Sequence, residues 1–196
     1  PDSLRITHPP AAPEKPVRLV MVARFQKQKD HPTLLAALAE IKDAPWRLEL
    51  IGDGPEMEKI QNRAEELGLA GRIEFSGQRR DIPERLKEAD VFVLASQWEG
   101  FPRSILEAMR AGLPVIAADV GGCRESVMEG GTGHLVPKED AGALREKLEE
   151  LIYGEEKRQS MGKAGRARYE EEFTFEAMYA KTRAVYETVL SRKATA

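Results

Sequence analysis

The stretch VRLVMVARFQKQKDHPTLLAALAEI, Val17 to Ile41, begins as a short β-branched apolar run and ends as a segment with apolar residues at helical spacing. Pro32 stands where a first helical turn tolerates it, because the missing N–H has no intrahelical acceptor to lose. The reading is strand, loop, helix, and the same unit recurs along the chain. WRLELIG, RIEFSG, DVFVLAS, LPVIAAD and GHLVP read as strands. Between them PEMEKIQNRAEELGL, closed by Gly68, IPERLKEA, PRSILEAMRAG and RESVME read as helices. Strands that alternate with helices and are apolar on both faces predict an α/β fold, a doubly wound parallel sheet of about six strands with helices on both sides. From about Asp140 the chain reads as helix only: AGALREKLEELI, EEKRQSMGKAGRARYEEE and FTFEAMYAKTRAVYETVL.

With 196 residues, 41% hydrophobic and 32% charged, the chain can bury a core of its own. The net charge of -3 comes from 30 basic and 33 acidic residues mixed along the chain, which disfavours nucleic acid as a partner. One cysteine, Cys123, excludes an internal disulfide and fits a reducing, cytoplasmic setting. No stretch has the roughly 20 apolar residues of a membrane span, and the first residues lack the order of a signal peptide. The proline-rich segment 1–16 reads as linker, the remnant of a connection to an upstream domain.

In doubly wound sheets ligands bind beyond the carboxyl ends of the strands, so the loops there carry the functional reading. After the first strand, Arg24 and Lys29 precede a helix, an arrangement that suits a phosphate or diphosphate and equally describes a solvated loop with exposed cations. Neither G-x-G-x-x-G nor a P-loop is present there, so side chains must meet any phosphates. Gly52 and Gly54 flank Asp53 and either let a ligand approach the backbone or simply make the turn. Gln78, Arg79 and Arg80 follow the third strand, with Asp81 as an N-cap; a base edge could be read by backbone here, or capping alone explains the segment.

In EGFPRSILEAM, Pro102 fits the first helical turn, which leaves Glu99 in the loop and Glu107 on the second turn beside the amides of Arg103 and Ser104. Two carboxylates near an anion site make sense as acceptors for hydroxyl donors, the ribose and sugar of a nucleotide-sugar. The competing reading pairs Glu107 with Arg103 at i, i+4 and leaves Glu99 exposed.

VARFQKQKDHPTLLAAL, LIGDGPE, IEFSGQ, ADVFVLASQWEGFPRSILEAM and GTGHLVP, in this order and spacing, resemble the donor-binding, C-terminal half of a retaining glycosyltransferase of family 4 with the GT-B architecture. The likeness runs from about Val17 to Leu190. It implies that Arg24 and Lys29 hold the donor diphosphate, with Glu99 on the donor sugar as the catalytic group alongside them. It also implies that Glu107 accepts from the ribose, that the backbone of Phe101, Pro102 and Arg103 meets sugar and phosphate with Ser104 beside them, and that Gly52, Asp53, Gln78 and Arg79 line the nucleotide site. The implied substrate is a UDP-, GDP- or ADP-sugar, transferred with retention and with no required metal or cofactor, as in polysaccharide biosynthesis. The Rossmann-like domain spans 17–172, and 173–196 form a helix crossing toward an absent N-terminal acceptor domain. Alone, the chain is expected to be inactive; the full-length enzyme is expected to be peripheral on the membrane. A nucleotide-sugar epimerase of the same architecture, or a non-catalytic nucleotide-binding module, are the alternatives.

Departures from the pattern are Ala23 and Arg124, which are expected to alter loop shape. His134 reads as structural, with no partner carboxylate placed beside it by the sequence, and Cys123 as a turn residue. His31 reads as a cap of the first helix or a lining of the site, capping being the plainer choice.

Overall fold

A computed structural model describes residues 13–194 of the chain, so most of the proposed linker, residues 1–12, lies outside the described residues. Six strands, β1 (Val17–Val22), β2 (Trp46–Ile51), β3 (Ile73–Gly77), β4 (Val91–Leu94), β5 (Val115–Ala118) and β6 (Gly133–Val136), form one sheet in the order β3-β2-β1-β4-β5-β6. Every neighbouring pair is parallel. The order reverses between β1 and β4, and the loops leaving these two strands part to opposite faces of the sheet, which opens a crevice at their carboxyl ends.

The connections are α1 (His31–Glu40), α2 (Met57–Glu66), α3 (Ile82–Glu88), α4 (Arg103–Ala111) and the single turn α5 (Cys123–Ser126). Then α6 (Ala141–Tyr153), α7 (Glu155–Glu172) and α8 (Phe175–Ala194) complete the described chain. Gly68 closes α2 in the left-handed conformation, at φ 71°, as its place in the sequence suggests. Pro102 does not enter the first turn of α4; it is the N-cap, with extended ψ of 106°.

β4 and β5 are buried throughout, as strands covered on both faces should be. β2 and β3 depart from that expectation. Arg47 and Glu74 are exposed, and Glu49 and Ser76 are half-buried, so these strands are apolar on one face only. The physical reason is coverage: α3, seven residues long, is too short to blanket the sheet edge, and the polar face opens into a cleft of about 210 Å³.

α7 packs on α4. α8 shows Phe175, Met178, Tyr179, Val185, Tyr186, Val189 and Leu190 as exposed apolar side chains. Phe173, at the bend before α8, turns inward against Phe101 with ring centroids 5.9 Å apart.

Candidate functional site

Asp30 sets the geometry of the loop after β1. It stands in the left-handed region (φ 47°, ψ 46°), a conformation that a short polar side chain tolerates, and it separates a 3₁₀ turn at Lys27–Lys29 from α1. Its carboxylate accepts from the Thr33 hydroxyl at 2.8 Å and more weakly from the Thr33 N–H at 3.4 Å. Asp30, and not His31, is therefore the cap. His31 is buried and stacks on Phe25 with centroids 4.4 Å apart; burial, and then the charge of Lys29, push its pKa down to about 4. It is a neutral packing residue at pH 7.

The turn aims Lys29 across the crevice. Its Nζ lies 2.5 Å from Oε1 of Glu99, and the two side chains are only 18% and 7% exposed. The buried Ser96 hydroxyl donates to the same oxygen at 2.6 Å. Oε2 of Glu99 has no hydrogen-bond partner among the described residues, which leaves it free to accept from a ligand. Two further bonds join the loops: the Gln97 N–H donates to the Gln28 carbonyl at 2.8 Å, and Gln28 Nε2 donates to the Trp98 carbonyl at 2.7 Å.

The loop after β2 lies against the loop after β1. A Cβ on Gly52 would fall 2.0 Å from the Ala23 carbonyl oxygen, and one on Gly54 would fall 2.5 Å from that of Phe25. The Phe25 N–H donates to the Asp53 carbonyl at 2.8 Å. The glycines thus admit close approach by a neighbouring strand loop, a third reason beside the two considered from sequence. Arg24, Gly52, Asp53, Gln78, Arg79 and Ile82 together line a cleft of about 550 Å³. Arg24 is exposed and has no protein partner among the described residues. Arg79 is held by Asp81 in a two-pronged pair at 2.8 and 2.7 Å, so Asp81 stands at the N-cap position of α3 but does not cap it with its side chain. This pairing holds the Asp81 carboxyl below the ordinary range.

After β4, the Arg103 and Ser104 N–H groups open α4 with no side-chain cap and no backbone acceptor among the described residues. A helix start in this state favours an anion. Gly121 (φ 46°) and Gly122 support the loop from behind: a Cβ on Gly121 would fall 1.8 Å from the Glu99 carbonyl oxygen, and the Gly122 N–H donates to the Gly100 carbonyl at 2.8 Å. Arg124 pairs with Asp119 and closes the loop after β5.

Glu107 is exposed and makes no pair with Arg103. It lines a groove of about 350 Å³ between α3 and α4, and Ile82 alone is shared with the 550 Å³ cleft. Arg24, Gly52, Asp53, Gln78 and Arg79 thus share one cleft, Lys29 and Glu99 form a pair beside it, and Glu107 lies around the start of α3. Ser96, Gln28 and Asp30 are positioning residues that the sequence reading passed over; Ser96, three residues before Glu99, was the most visible.

Cys123 is buried, and burial together with the charge of Glu99 pushes its thiol up to about 11, so it is no nucleophile at neutral pH. His134 is buried as a structural residue would be, but carboxylates do stand beside it: Glu129 Oε1 lies 2.8 Å from Nδ1 and Glu150 Oε1 lies 3.3 Å from Nε2, brought in by a glycine turn and by α6. Among the described residues no three His, Cys, Asp or Glu side chains converge as a metal site, and no helix is long and apolar enough to cross a membrane.

The chain belongs to the glycosyl transferases group 1 family, which matches residues 4–168. It is 31% identical over 173 residues, 88% of this chain and 45% of the relative, to the N-acetyl-alpha-D-glucosaminyl L-malate synthase of Bacillus anthracis. The fold matches Anabaena HepE, solved in complex with UDP and glucose, with TM-score 0.81 and 27% identity over 90% of this chain and 49% of that one. It also matches the sucrose-phosphate synthase of Thermosynechococcus elongatus, with TM-score 0.82 and 31% identity over 91% of this chain and 46% of that one. The sheet is thus the α/β, Rossmann-like sheet of GT-B glycosyltransferases, and the chain spans about half the length of the relatives it matches.

Proposed function

We propose that the chain is the donor-binding domain of a retaining, family 4 glycosyltransferase that transfers a hexosyl group from a nucleotide-sugar, a UDP-sugar first among the candidates. The observation that carries this reading is the placement, on the loops leaving the neighbouring strands β1 and β4, of a partner-free Arg24, a Lys29–Glu99 pair with one anchored and one free carboxylate oxygen, and an uncapped α4 N-terminus. Arg24, Lys29 and the α4 amides would face the diphosphate, where negative charge grows as the sugar–phosphate bond breaks. In this reading these cations and amides answer the developing charge, with no divalent cation required. Glu99 Oε2 would accept from a sugar hydroxyl, and Glu107 from the ribose. The base would lie at Gln78 and Arg79. UDP-type donors are favoured because Anabaena HepE was solved with UDP and with UDP-glucose.

An acceptor-binding domain would complete the enzyme, in a cytoplasmic setting. The chain alone would bind donor without efficient transfer, and the exposed apolar side chains of α8 would face the other half. Calorimetric titration with UDP, GDP and ADP tests the reading: saturable binding that is lost in Glu107→Ala supports it, and no binding to any nucleotide rejects it. Within it, Arg24→Ala should weaken UDP far more than uridine, and equal weakening would move the phosphates elsewhere.

A further inference from the structure

The polar face of β2 and β3 carries an arrangement that the fold alone does not need. Glu49 and Glu74 are direct cross-strand neighbours, a like-charge pairing that destabilises a sheet unless a cation answers it. Arg85, from α3, answers it. Its Nη1 lies 3.4 Å from Glu49 Oε1 and 4.0 Å from Glu74 Oε1, and the Ser76 hydroxyl donates to the same Glu49 oxygen at 2.6 Å. The Nε of Arg85 reaches 3.4 Å to Asp81 Oδ2, and Asp81 holds the guanidinium of Arg79 by both oxygens. The side chains of Arg85 and Glu49 are 26% and 18% exposed, so this inner link is partly screened from water, whereas Asp81 and Arg79, at 39% and 36%, carry it outward along the surface. It runs without a break from the sheet to the wall of the 550 Å³ cleft, where Arg79 and Gln78 stand.

The segment it reaches has little else to fix it. Among the described residues, the Gly52 N–H donates to Gly77 and the Arg85 N–H donates to Asp81, while Gln78, Arg79 and Arg80 take part in no backbone hydrogen bond outside helices and strands. Gly77, at φ 62°, frees the turn and does not hold it.

We propose that Arg85 is a positioning residue for the nucleobase end of the cleft. It ties the β3–α3 loop to Glu49 and thereby fixes where Gln78 and Arg79 meet the base, an inference that rests on the nucleotide-binding reading above. Arg85 touches no ligand itself, and its effect passes through Asp81 and Arg79.

The test compares UDP, uridine and inorganic pyrophosphate by calorimetry in wild type, Arg85→Gln and Glu49→Gln. Each variant should lose about tenfold in affinity for UDP and for uridine as the base-facing loop is released and must be ordered on binding, with pyrophosphate unchanged. Glu49→Gln keeps the shape of the side chain and serves if Arg85→Gln does not fold. Arg85→Lys should restore part of the loss, and Arg79→Ala combined with Arg85→Gln should be no weaker than Arg79→Ala alone. A fall in melting temperature with the UDP-to-pyrophosphate ratio unchanged would overturn the proposal, as would losses that add. A wild-type chain that binds no nucleotide rejects the underlying reading instead, so the two failures are distinct.

Discussion

Lys29 and Glu99, 70 residues apart in sequence, meet across the boundary between β1 and β4 with Nζ and Oε1 2.5 Å apart. Each is assigned to a different end of a donor, the lysine to phosphate and the glutamate to sugar, yet each is the other's partner in the free protein. Loss of Lys29 should therefore act at both ends. A carboxylate only 7% exposed would keep Ser96 as its sole donor, at a cost of about 1–3 kcal/mol. Chemical unfolding of Lys29→Met, Glu99→Gln and the double variant should show the double variant more stable than Lys29→Met. Additive losses would mean that the pair carries no coupling.

Ser96 anchors the same oxygen. Ser96→Ala leaves Lys29 in place but lets the carboxylate rotate, so affinity for a nucleotide-sugar should fall about three- to tenfold while UDP alone is unaffected. Paired titrations with UDP and UDP-glucose measure this; an equal loss for both would place the role of Ser96 in the fold and not at the sugar.

Gly121 bears on Glu99 from the far side. In Gly121→Ala the new Cβ would overlap the Glu99 carbonyl, and φ of 46° lies in the left-handed region that alanine, unlike glycine, rarely adopts. We expect about 2 kcal/mol of destabilisation and a displaced Glu99 loop, read as weaker binding of UDP-glucose than of UDP relative to wild type. Unchanged urea unfolding would contradict the contact.

His31 gives the fold a pH dependence with a definite sign. Its pKa is about 4 folded against 6.5 for the free side chain, so the unfolded chain binds the proton more readily. The contribution is complete above pH 6.5 and is lost as pH falls toward 4, by about 3 kcal/mol at most. Urea unfolding at pH 7.5 and 4.5 should show His31→Gln losing less stability over that interval than wild type; an equal loss would assign the effect to other groups.

The alternation of strands and helices was legible because each apolar run is short and ends at a polar residue, glycine or proline. The polar rhythm of WRLELI and IEFSG was equally visible, but which sheet face goes uncovered depends on the length and path of α3. The sequence places Arg24 and Lys29 in one loop; that Lys29 is satisfied by Glu99 follows only from the strand order, which sets β1 beside β4. His134 remains a structural residue, but its carboxylates are Glu129, five residues before it, and Glu150, which only the packing of α6 brings in. Asp30 was legible as a cap, an Asp directly before a helical run with Pro32 in its first turn, and only its positive φ leaves no mark in the sequence.

On the proposed reading, the Glu99 carboxylate is a pivot and not a clamp. With Oε1 occupied by Lys29 and Ser96, a single oxygen remains to meet the sugar, which registers one hydroxyl and leaves the rest of the ring to be judged by other walls. Sugar preference in such a domain can drift by changes around that fixed point while the point itself stays put.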